Sequence, residues 1–459
     1  MARAPSRLVA LVDASAFYVS CERVFAPGLE GRPVAVLSNN DGCVIARSQE
    51  VKDAGIRMGE PFFKARERLE ALDARVFSSN YTLYGDMSRR VMDTLHTLTP
   101  DVAPYSIDEA FLSLPCPTGP PEGVRDEMEA LARRIRSRVR QWTGIPVRVS
   151  IAETKTLAKA ASEYARAQLA TGAEPTVCFV GHPDRAAWLE RLPVGDVWGV
   201  GRRWSRRLTE MGAPTAGAFA RLDDAVIRRH LSVVGLRTAM ELRGVACVSL
   251  HDVPAPRHTL IRSRSFGERI TDRATIERAV ATHAARAAEK LRREGLVAGR
   301  IGAFVTTKGY GDGPHRSGWT ERALDVASAR TPDLIRAALL SLRLAHVQAD
   351  ATGRPYGYRK AGVVLSEMRP AGAEQTSLFA PPQAQDPAWQ AAQSDLMATV
   401  DRLNRRFGTR TVVFGAMGTP AALRRTRDGT AQAPRWEMRR EHMTPRYTTR
   451  WDELACVRA

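Results

Sequence analysis

Three carboxylates stand where apolar stretches of the sequence end. Asp13 follows the stretch RLVALV, and Asp108 and Glu109 are adjacent in VAPYSIDEAFLSL. Apolar residues alternate on both sides of this pair, which predicts a β-hairpin with the two acids at its tip. Carboxylate oxygens with no Cys or His nearby are typical ligands of hard cations such as Mg²⁺. Adjacent acids on a hairpin are also common as solvated turn residues, so the metal interpretation depends on Asp13 coming close.

The order of the predicted elements brings Asp13 to this hairpin. With residues 18–80 set aside, the sequence reads as a strand ending at Asp13, a helix, two strands flanking Asp108, a helix and the strand PVRVSIA. This order is typical of a ferredoxin-like split βαβ domain, in which the first strand and the central hairpin are neighbours in the sheet. Asp13 and Asp108 are therefore expected at one sheet edge.

Such a cluster is suited to phosphoryl transfer. Two divalent ions held by carboxylates activate a 3′-hydroxyl and stabilise the pyrophosphate that leaves in an in-line displacement. We expect Asp13 and Asp108 to bridge both Mg²⁺ ions and Glu109 to serve the ion at the primer hydroxyl. The backbone carbonyl of Ala14 completes the predicted metal site.

Other residues predict a nucleotide site beside the acids. Arg47, Lys52 and Lys159 are expected to neutralise a triphosphate. Phe17 and Tyr18 closely follow the first acid, and an aromatic ring there would stack under the sugar and exclude a 2′-hydroxyl, which selects deoxynucleotides. Ordinary core packing is an equally good interpretation of these two rings.

The composition indicates a polyanionic partner. The 459 residues carry a formal net charge of +18, and Lys and Arg occur throughout the chain, which favours nucleic acid over a membrane surface. With 44% hydrophobic residues, the chain has enough apolar material for several domains. The six cysteines form no CxxC pair, which argues against a zinc site or a disulfide framework. Because there is no apolar run of about 20 residues to predict a transmembrane helix, we expect a cytoplasmic protein.

A glycine-rich turn predicts a grip on a phosphate backbone. Gly199 and Gly201 precede a helix that begins with Arg202 and Arg203. A Gly-x-Gly turn leading into a helix exposes backbone N–H groups, which hold phosphate oxygens. The pattern is typical of a helix–hairpin–helix, although a turn of this kind taken alone is more often only a tight turn.

A second α+β domain is predicted beyond a linker at 254–257. The order strand, helix, strand, strand, helix, strand recurs there, and its first strand carries Arg262 and Arg264. Alternating basic residues on a strand suit a sheet laid along a phosphate backbone, and they equally suit a solvated sheet face.

The composition changes again near residue 370. Ala, Pro, Gln and Gly become frequent there, which is typical of a linker. Gln375, Leu378 and Phe379 belong to a short apolar segment inside it, QTSLF. This segment predicts a docking peptide, or else a linker that packs back on its own domain.

Seven stretches in order resemble the Y-family DNA polymerases: DASAFYVSCE, SNNDGCVIARS, SSNYTLYGDMS, YSIDEAF, IAETKTLAK, DVWGVGRR and SRSFGERITD. The resemblance runs from about residue 8 to 310 and resumes in YRKAGVVL, QTSLF and TPRYTTR. Within the family, the sequence is most similar to the UmuC branch, the catalytic subunits of bacterial DNA polymerase V. Several motifs at compatible spacing are far more specific than any one of them.

The resemblance implies an α+β multidomain fold, the right-hand polymerase. Its parts would be a ferredoxin-like palm (1–17 and 81–174), small fingers (18–80), a helical thumb with a helix–hairpin–helix (175–253), an α+β little finger (258–368) and a clamp-binding linker with a partner-binding tail (369–459). Asp13, Asp108 and Glu109 are the implied metal ligands, Tyr18 the steric gate, and Lys159 a triphosphate contact.

The activity implied by the resemblance is error-prone translesion synthesis in the SOS response. The implied cofactor is Mg²⁺, as two ions, and the implied partners are primer–template DNA, deoxynucleoside triphosphates, the sliding clamp, a processed UmuD-type dimer and RecA. The protein would associate with the nucleoid when acting.

Two alternatives remain open from the sequence. One is a polymerase-like adaptor that binds DNA and clamp without catalysis, although such relatives typically lose the acids that this chain keeps. The other is a polymerase IV-type enzyme acting alone. The family pattern is also not matched everywhere: Ser15 replaces a further acid, Gln49 replaces a triphosphate-contacting Tyr, and the loop 309–317 is poorly matched.

Overall fold

The computed structural model describes residues 6–169, 175–251, 257–307, 314–372, 386–418, 436 and 438–454. The described residues form two compact units. The first contains those up to 38, between 42 and 254, and from 442 onward, and the second contains those at 39–41 and between 255 and 441. The break near 254 coincides with the predicted linker, whereas the finer division into palm, fingers and thumb stays a prediction.

The first unit combines a region of strands and helices with a region of helices only. Its strands are β1 (Arg7–Ala14), β2 (Val34–Leu37), β3 (Val44–Arg47), β4 (Arg75–Ser78), β5 (Val102–Pro104), β6 (Glu109–Pro115), β7 (Val147–Ala152) and β8 (Thr176–Cys178). Its helices are α1 (Phe17–Phe25), α2 (Gln49–Asp53), α3 (Phe62–Ala71), α4 (Tyr81–His96), α5 (Pro121–Thr143), α6 (Lys155–Gln168), α7 (Arg185–Arg191), α8 (Arg202–Glu210), α9 (Ala216–Arg221) and α10 (Asp224–Leu242).

The main sheet has the strand order β5-β6-β1-β7-β8, with β1 antiparallel to both β6 and β7. This order confirms the predicted split βαβ arrangement, and β8 adds a parallel strand at its edge. Side chains of β1 alternate between two cores. Leu8, Ala10 and Val12 pack with α4 and α5, whereas Leu11 packs with α6. Because Asp13 has the parity of Leu11, it lies on the α6 face of the sheet.

A smaller sheet follows the first helix. Its order is β3-β2-β4, with β2 parallel to β4. Its apolar core is separate from the main one and is formed by Ala35, Leu37, Val44, Val51, Ile56, Ala65 and Leu69. This small α+β element carries Arg47 at the end of β3 and Lys52 on α2.

The second unit repeats the predicted order of strands and helices. Its elements are β9 (Leu260–Ile270), α11 (Arg273–Arg293), β10 (Leu296–Thr306), β11 (Ser317–Ser328), α12 (Thr331–Ala345), β12 (Tyr358–Pro370) and α13 (Pro387–Phe407). The sheet order is β11-β10-β12-β9, entirely antiparallel. Ala-rich α11 and α12 cover one face and supply much of the core.

Helix α13 begins at Pro387. Its N-cap is Asp386, whose carboxylate accepts a hydrogen bond from the backbone of Ala388, and a proline follows at the first helical position. The helix is held to α11 because Arg292 binds both carboxylate oxygens of Asp401, at 2.8 and 2.7 Å. Within the described residues, no helix is both long and apolar enough to cross a membrane.

Candidate active site

Three charged residues form a row across the main sheet. Asp13 on β1 lies directly opposite Glu109 on β6 and opposite Arg148 on β7. Directly opposed residues on antiparallel strands share a face, so all three side chains lie on the α6 side. An Nη2 atom of Arg148 is 2.5 Å from Oδ2 of Asp13, and both side chains are largely buried. The sheet register therefore creates the proximity that the sequence predicted for Asp13 and the hairpin.

The second acid of the hairpin is also paired with a cation. Lys159, on the first turns of α6, places its Nζ 2.6 Å from Oε1 of Glu109. The same ammonium lies 4.9 Å from the ring centre of Tyr105 and 5.9 Å from that of Phe111. These aromatic walls limit solvent access, which strengthens the ion pair compared with an exposed one.

Asp108 is fixed by the backbone of the hairpin. Its carbonyl oxygen accepts a hydrogen bond of 2.8 Å from the N–H of Ala14. The Ser106 hydroxyl donates to the Asp108 carboxylate, and the Asp108 N–H donates back to that hydroxyl. This short turn is the hairpin tip that the sequence predicted. It attaches Asp108 to the end of β1, one residue beyond Asp13.

The donor set fits a hard divalent cation in chemistry, since it consists of carboxylate and carbonyl oxygens. Among the described residues, however, no group of three His, Cys, Asp or Glu is close enough to hold a metal ion. Arg148 and Lys159 instead balance the charges of Asp13 and Glu109. Their nitrogens supply positive charge beside these two acids.

The two predicted sugar-site aromatics have different environments. Phe17 is 4% exposed and belongs to the main core, whereas Tyr18 is partly exposed. The Tyr18 ring stacks on Tyr84 with ring centres 4.5 Å apart and meets Tyr81 edge-on. Burial raises the pKa of Tyr18, and the charges of Tyr81 and Asp108 raise it further. Tyr18 is therefore the ring of the two that meets the acidic site.

Cations cluster on the side of the acids that faces the small sheet. The pKa of Lys52 is lowered by partial burial and then by the positive charges of Arg47, Arg148 and Arg166. Arg47 donates to the carbonyl oxygen of Ile56. The Nε atoms of Arg47 and Arg148 are buried, and neither has a hydrogen-bond partner in the described part of the chain. Buried donors without partners are costly, which indicates a place for an anionic group.

Arg148 is the main site residue that the sequence did not predict. It lies in PVRVSIA, between Val147 and Val149, which are both buried. A single charged residue inside an otherwise buried strand was the available signal, because such residues are rarely buried without a partner.

The glycine-rich turn has the geometry of a helix entry. Gly199 has a φ of +88°, which favours glycine, and Gly201 is the N-cap of α8. No side chain caps this helix, and Arg202 and Arg203 are exposed at its start. The indole nitrogen of Trp198 donates a 3.0 Å hydrogen bond to the hydroxyl of Tyr105, which connects the turn to the hairpin.

Arg262 and Arg264 lie on the helix-covered face of the second sheet. They share the parity of Leu260 and pair with Val363 and Ala361, which are buried. Both arginines are half-buried, and both lower the pKa of the buried His283 on α11. Lys360 pairs with Ser265 and has the opposite parity, so these basic residues do not form one continuous face.

The opposite face of that sheet carries an aromatic cluster that the sequence did not predict. Trp319 is 50% exposed, and its ring centre is 6.5 Å from that of Phe304. Gly302 leaves the space in which Trp319 lies, because a Cβ there would clash with the indole. Lys360 lies 5.8 Å from the Phe304 ring.

Several predicted features lie outside the described residues. These are the predicted clamp-binding residues Gln375, Leu378 and Phe379, and residues 309–313 of the loop that matches the family poorly.

The fold is that of a Y-family DNA polymerase. A chimeric Y-family DNA polymerase of known structure superposes with a TM-score of 0.58, covering 78% of this chain and 98% of that chain at 19% sequence identity. Matches to protein-family models identify the group within the Y-family polymerases to which the chain is similar. The impB/mucB/samB family matches residues 12–163, its C-terminal domain matches 257–378, and a domain of unknown function (DUF4113) matches 394–457.

Curated relatives match along nearly the whole chain. Protein ImpB and Protein UmuC, both of Salmonella typhimurium, are each 40% identical over 456 residues, which is 98% of this chain and 100% of each relative. DNA polymerase IV of Caulobacter vibrioides is 27% identical over 89% of this chain and 93% of its own length.

The chain therefore belongs to the impB/mucB/samB family, and the sequence-based recognition of a UmuC-like Y-family polymerase is confirmed. It is an error-prone translesion DNA polymerase, a DNA-directed nucleotidyltransferase. Membership implies DNA and nucleotide substrates and a divalent metal requirement.

Proposed function

We propose that this polymerase transfers deoxynucleotides at the sheet edge formed by Asp13, Asp108 and Glu109, with two Mg²⁺ ions. The observation that carries the proposal is the register that opposes Asp13 to Glu109 and ties Asp108 to Ala14. When bound, the two ions would activate the primer 3′-hydroxyl and neutralise the departing pyrophosphate.

The acids have different tasks in this proposal. Asp13 and Asp108 would hold both ions, Glu109 would hold the ion at the primer hydroxyl, and the Ala14 carbonyl would contribute a further oxygen. Adjacent strand ends suit bridging by Asp13 and Asp108, because the backbone already fixes their separation. Glu109 is the first residue of β6 and lies directly opposite Asp13.

In this proposal the two cations paired with the acids have two successive roles. Arg148 and Lys159 compensate the acids until nucleotide and metal arrive, and then turn towards the triphosphate oxygens. Lys52 belongs to the same group of cations, because its pKa is lowered by partial burial and then by the positive charges of Arg47 and Arg148. A site with this much positive charge gains stability when a polyanion enters.

Tyr18 selects the sugar in this proposal, with Phe17 as the buried support behind it. Its ring is held against Tyr84 on one side and is close enough to Asp108 to feel its charge. A ring fixed beside the acids leaves no room for a 2′-hydroxyl on a nucleotide bound there.

Two regions are proposed to grip DNA. The turn at Gly199 and Gly201, with Arg202 and Arg203, offers backbone N–H groups and exposed cations to a phosphate. Arg262 and Arg264 remain candidates in the second unit, although their half-buried position limits them to contacts at the edge of the sheet.

The recruitment proposals rest on sequence alone. Gln375, Leu378 and Phe379 would bind the sliding clamp, and a processed UmuD-type dimer and RecA would act with the chain at the nucleoid in the cytoplasm. Replacing Leu378 and Phe379 with Ala should reduce only clamp-stimulated synthesis, measured with and without clamp. An equal loss without clamp would indicate a structural role.

Primer extension across a template abasic site tests the catalytic proposal. The full chain, with Mg²⁺, clamp, UmuD-type dimer and RecA filament, should extend past the lesion. Asp108→Ala should abolish extension while DNA binding stays largely intact, since the basic regions are untouched. Asp126→Ala is the matched control, because Asp126 is exposed on α5. Extension by Asp108→Ala would refute the metal assignment, and inactivity of the unaltered chain under all conditions would favour the adaptor alternative.

A further inference from the structure

The last described segment of the chain returns to the first unit and packs against the elements that carry Tyr18. His442 forms a reciprocal backbone contact with the end of β4. Its N–H donates to the Ser78 hydroxyl and its carbonyl accepts from the Ser78 N–H, both at 3.0 Å. This segment lies within the region matched by the family model of unknown function. The sequence predicted only that the tail would bind partners.

A buried asparagine recognises the backbone of this segment. Asn80, 2% exposed, donates through Nδ2 to the carbonyl oxygens of Thr444 and Pro445, both at 3.1 Å. Its Oδ1 accepts from the N–H of Leu83 and so caps α4. One side chain therefore both begins α4 and fixes the tail beside it.

A buried carboxylate connects the tail to the aromatic stack. Oε1 of Glu22 accepts hydrogen bonds from the Tyr84 hydroxyl at 2.7 Å and from the Thr444 hydroxyl at 3.2 Å. Glu22 is 2% exposed and Tyr84 is fully buried. Burial raises the pKa of Glu22, and the two hydroxyl donors oppose that rise. Removing a donor from so buried an acceptor is costly, so Thr444 helps to fix the position of Glu22.

The connection continues to the ring beside the acids. Tyr84 stacks on Tyr18 with an angle of 17° between the ring planes. Tyr18, Glu22 and Phe25 are spaced by four and three residues and form one stripe along α1. The tail contacts the far end of this stripe as well, because Tyr447 stacks on Phe25 at 4.5 Å with nearly parallel rings.

We propose that the segment 442–447 is a specificity element of the polymerase, which positions Tyr18 through Thr444, Glu22 and Tyr84. This inference rests on the proposed role of Tyr18 in sugar selection. Thr444, Glu22 and Tyr84 are positioning residues, since none of them meets the nucleotide. The hydroxyl of Thr444 holds Glu22, Glu22 holds the Tyr84 hydroxyl, and the Tyr84 ring forms the wall against which Tyr18 is held. Without that wall Tyr18 turns away and the 2′-hydroxyl is admitted.

Single-nucleotide insertion kinetics test the inference with the full chain on undamaged primer–template. The measured quantity is the ratio of kcat/KM for a deoxynucleotide to that for the matching ribonucleotide. Thr444→Val removes, at nearly constant volume, the hydroxyl that donates to Glu22 and accepts from Nδ2 of Asn80. It should lower this ratio roughly three- to tenfold. The kcat for the deoxynucleotide should change little. Tyr84→Phe should have a similar effect, because it keeps the ring and loses the bond to Glu22.

Three further variants separate the possible outcomes. Thr444→Ser should restore the ratio. Thr449→Val should leave it unchanged, because Thr449 lies two residues beyond the segment and its hydroxyl donates to the carbonyl oxygen of Arg446 instead. If Tyr18→Ala lowers the ratio but Thr444→Val and Tyr84→Phe do not, the inference about the tail is wrong. The role of Tyr18 in sugar selection is then unaffected. If Tyr18→Ala leaves the ratio unchanged, the gate assignment is wrong and the inference falls with it. Equal loss of both nucleotide activities in Thr444→Val would also overturn it, as a purely structural effect.

Discussion

Asp13 and Glu109 are directly opposed across two antiparallel strands, yet each carboxylate is bound by a different cation. Arg148 holds Asp13 from β7, and Lys159 holds Glu109 from α6. Two acids at this spacing repel one another unless positive charge lies beside them. The two ion pairs therefore offset this repulsion, and in the proposed mechanism a divalent ion would compete with them for the same oxygens.

Arg148→Met should separate this competition from nucleotide binding. Because the guanidinium no longer occupies Oδ2 of Asp13, the Mg²⁺ concentration for half-maximal extension should fall. The KM for deoxynucleotide should rise about tenfold, as for the loss of one charged hydrogen bond worth about 1.5 kcal/mol. Steady-state insertion kinetics at varied Mg²⁺ and nucleotide concentrations measure both constants.

The control for this prediction is Arg133→Met. Arg133 is exposed on α5, so neither constant should change. If Arg148→Met raised the Mg²⁺ concentration for half-maximal extension as well as the KM, Arg148 would be maintaining the geometry of the site and not competing with Mg²⁺ for Asp13.

Tyr18→Ala should admit ribonucleotides. Removing the ring opens the space beside Asp108, so discrimination should fall at least about tenfold, which corresponds to about 1.4 kcal/mol. Competitive incorporation of deoxy- and ribonucleotides gives the ratio directly. Tyr18→Phe keeps the ring and its stacking on Tyr84, and it should retain selectivity. Relaxed selectivity in Tyr18→Phe would shift the role from the ring to the hydroxyl.

Local patterns were enough to predict the hairpin beside Asp13 and to single out Lys159, but not Arg148. Alternation and element order placed Asp13 beside Asp108, because strand parity and βαβ topology leave little choice. Arg148 joins them only through the register of β1 against β7, which no short pattern encodes.

The contacts of the tail were equally hidden from the sequence. Glu22 and Thr444 meet only because the chain returns to its first unit near the end, and no local pattern indicates such a return. The face of Arg262 and Arg264 was not predictable either, because alternation shows that two faces exist but not which one the helices cover.

Glu241→Gln should destabilise the first unit. Glu241 is fully buried on α10 and accepts four hydrogen bonds. Its donors are the N–H and hydroxyl of Thr156 and the N–H groups of Cys247 and Val248. An amide turns an NH₂ group towards some of these donors, so the cost should be about 2–3 kcal/mol. Thermal unfolding measures it, and activity should fall too, because Thr156 lies on the helix that carries Lys159.

Glu210→Gln is the matched control for that loss. Glu210 is exposed on α8 and lies 3.8 Å from Arg206, an interaction worth little in solvent. Its melting temperature should equal that of the unaltered chain. If Glu241→Gln had the same melting temperature as the unaltered chain, these four hydrogen bonds would not be contributing to the stability of the first unit.

The second unit should lose stability in mild acid because of His283. This residue is 4% exposed on α11. Burial lowers its pKa to about 3, and the charges of Arg264, Arg286, Arg262 and Arg410 act in the same direction. The unfolded chain binds a proton near the ordinary pKa of 6.5, whereas the folded chain does so only near pH 3. The neutral histidine therefore contributes fully above pH 6.5, and that contribution is lost as pH falls from 6.5 towards 3.

Within this window the loss amounts to about 1.4 kcal/mol for each pH unit. Urea unfolding followed by the fluorescence of Trp319, with the remaining tryptophans replaced by Phe, should therefore show a falling midpoint between pH 6.5 and 4.5. His283→Leu should flatten that slope, because leucine has no proton to gain. His258→Leu, which replaces an exposed histidine, should keep it. The same slope in His283→Leu and the unaltered chain would assign the acid sensitivity to other groups.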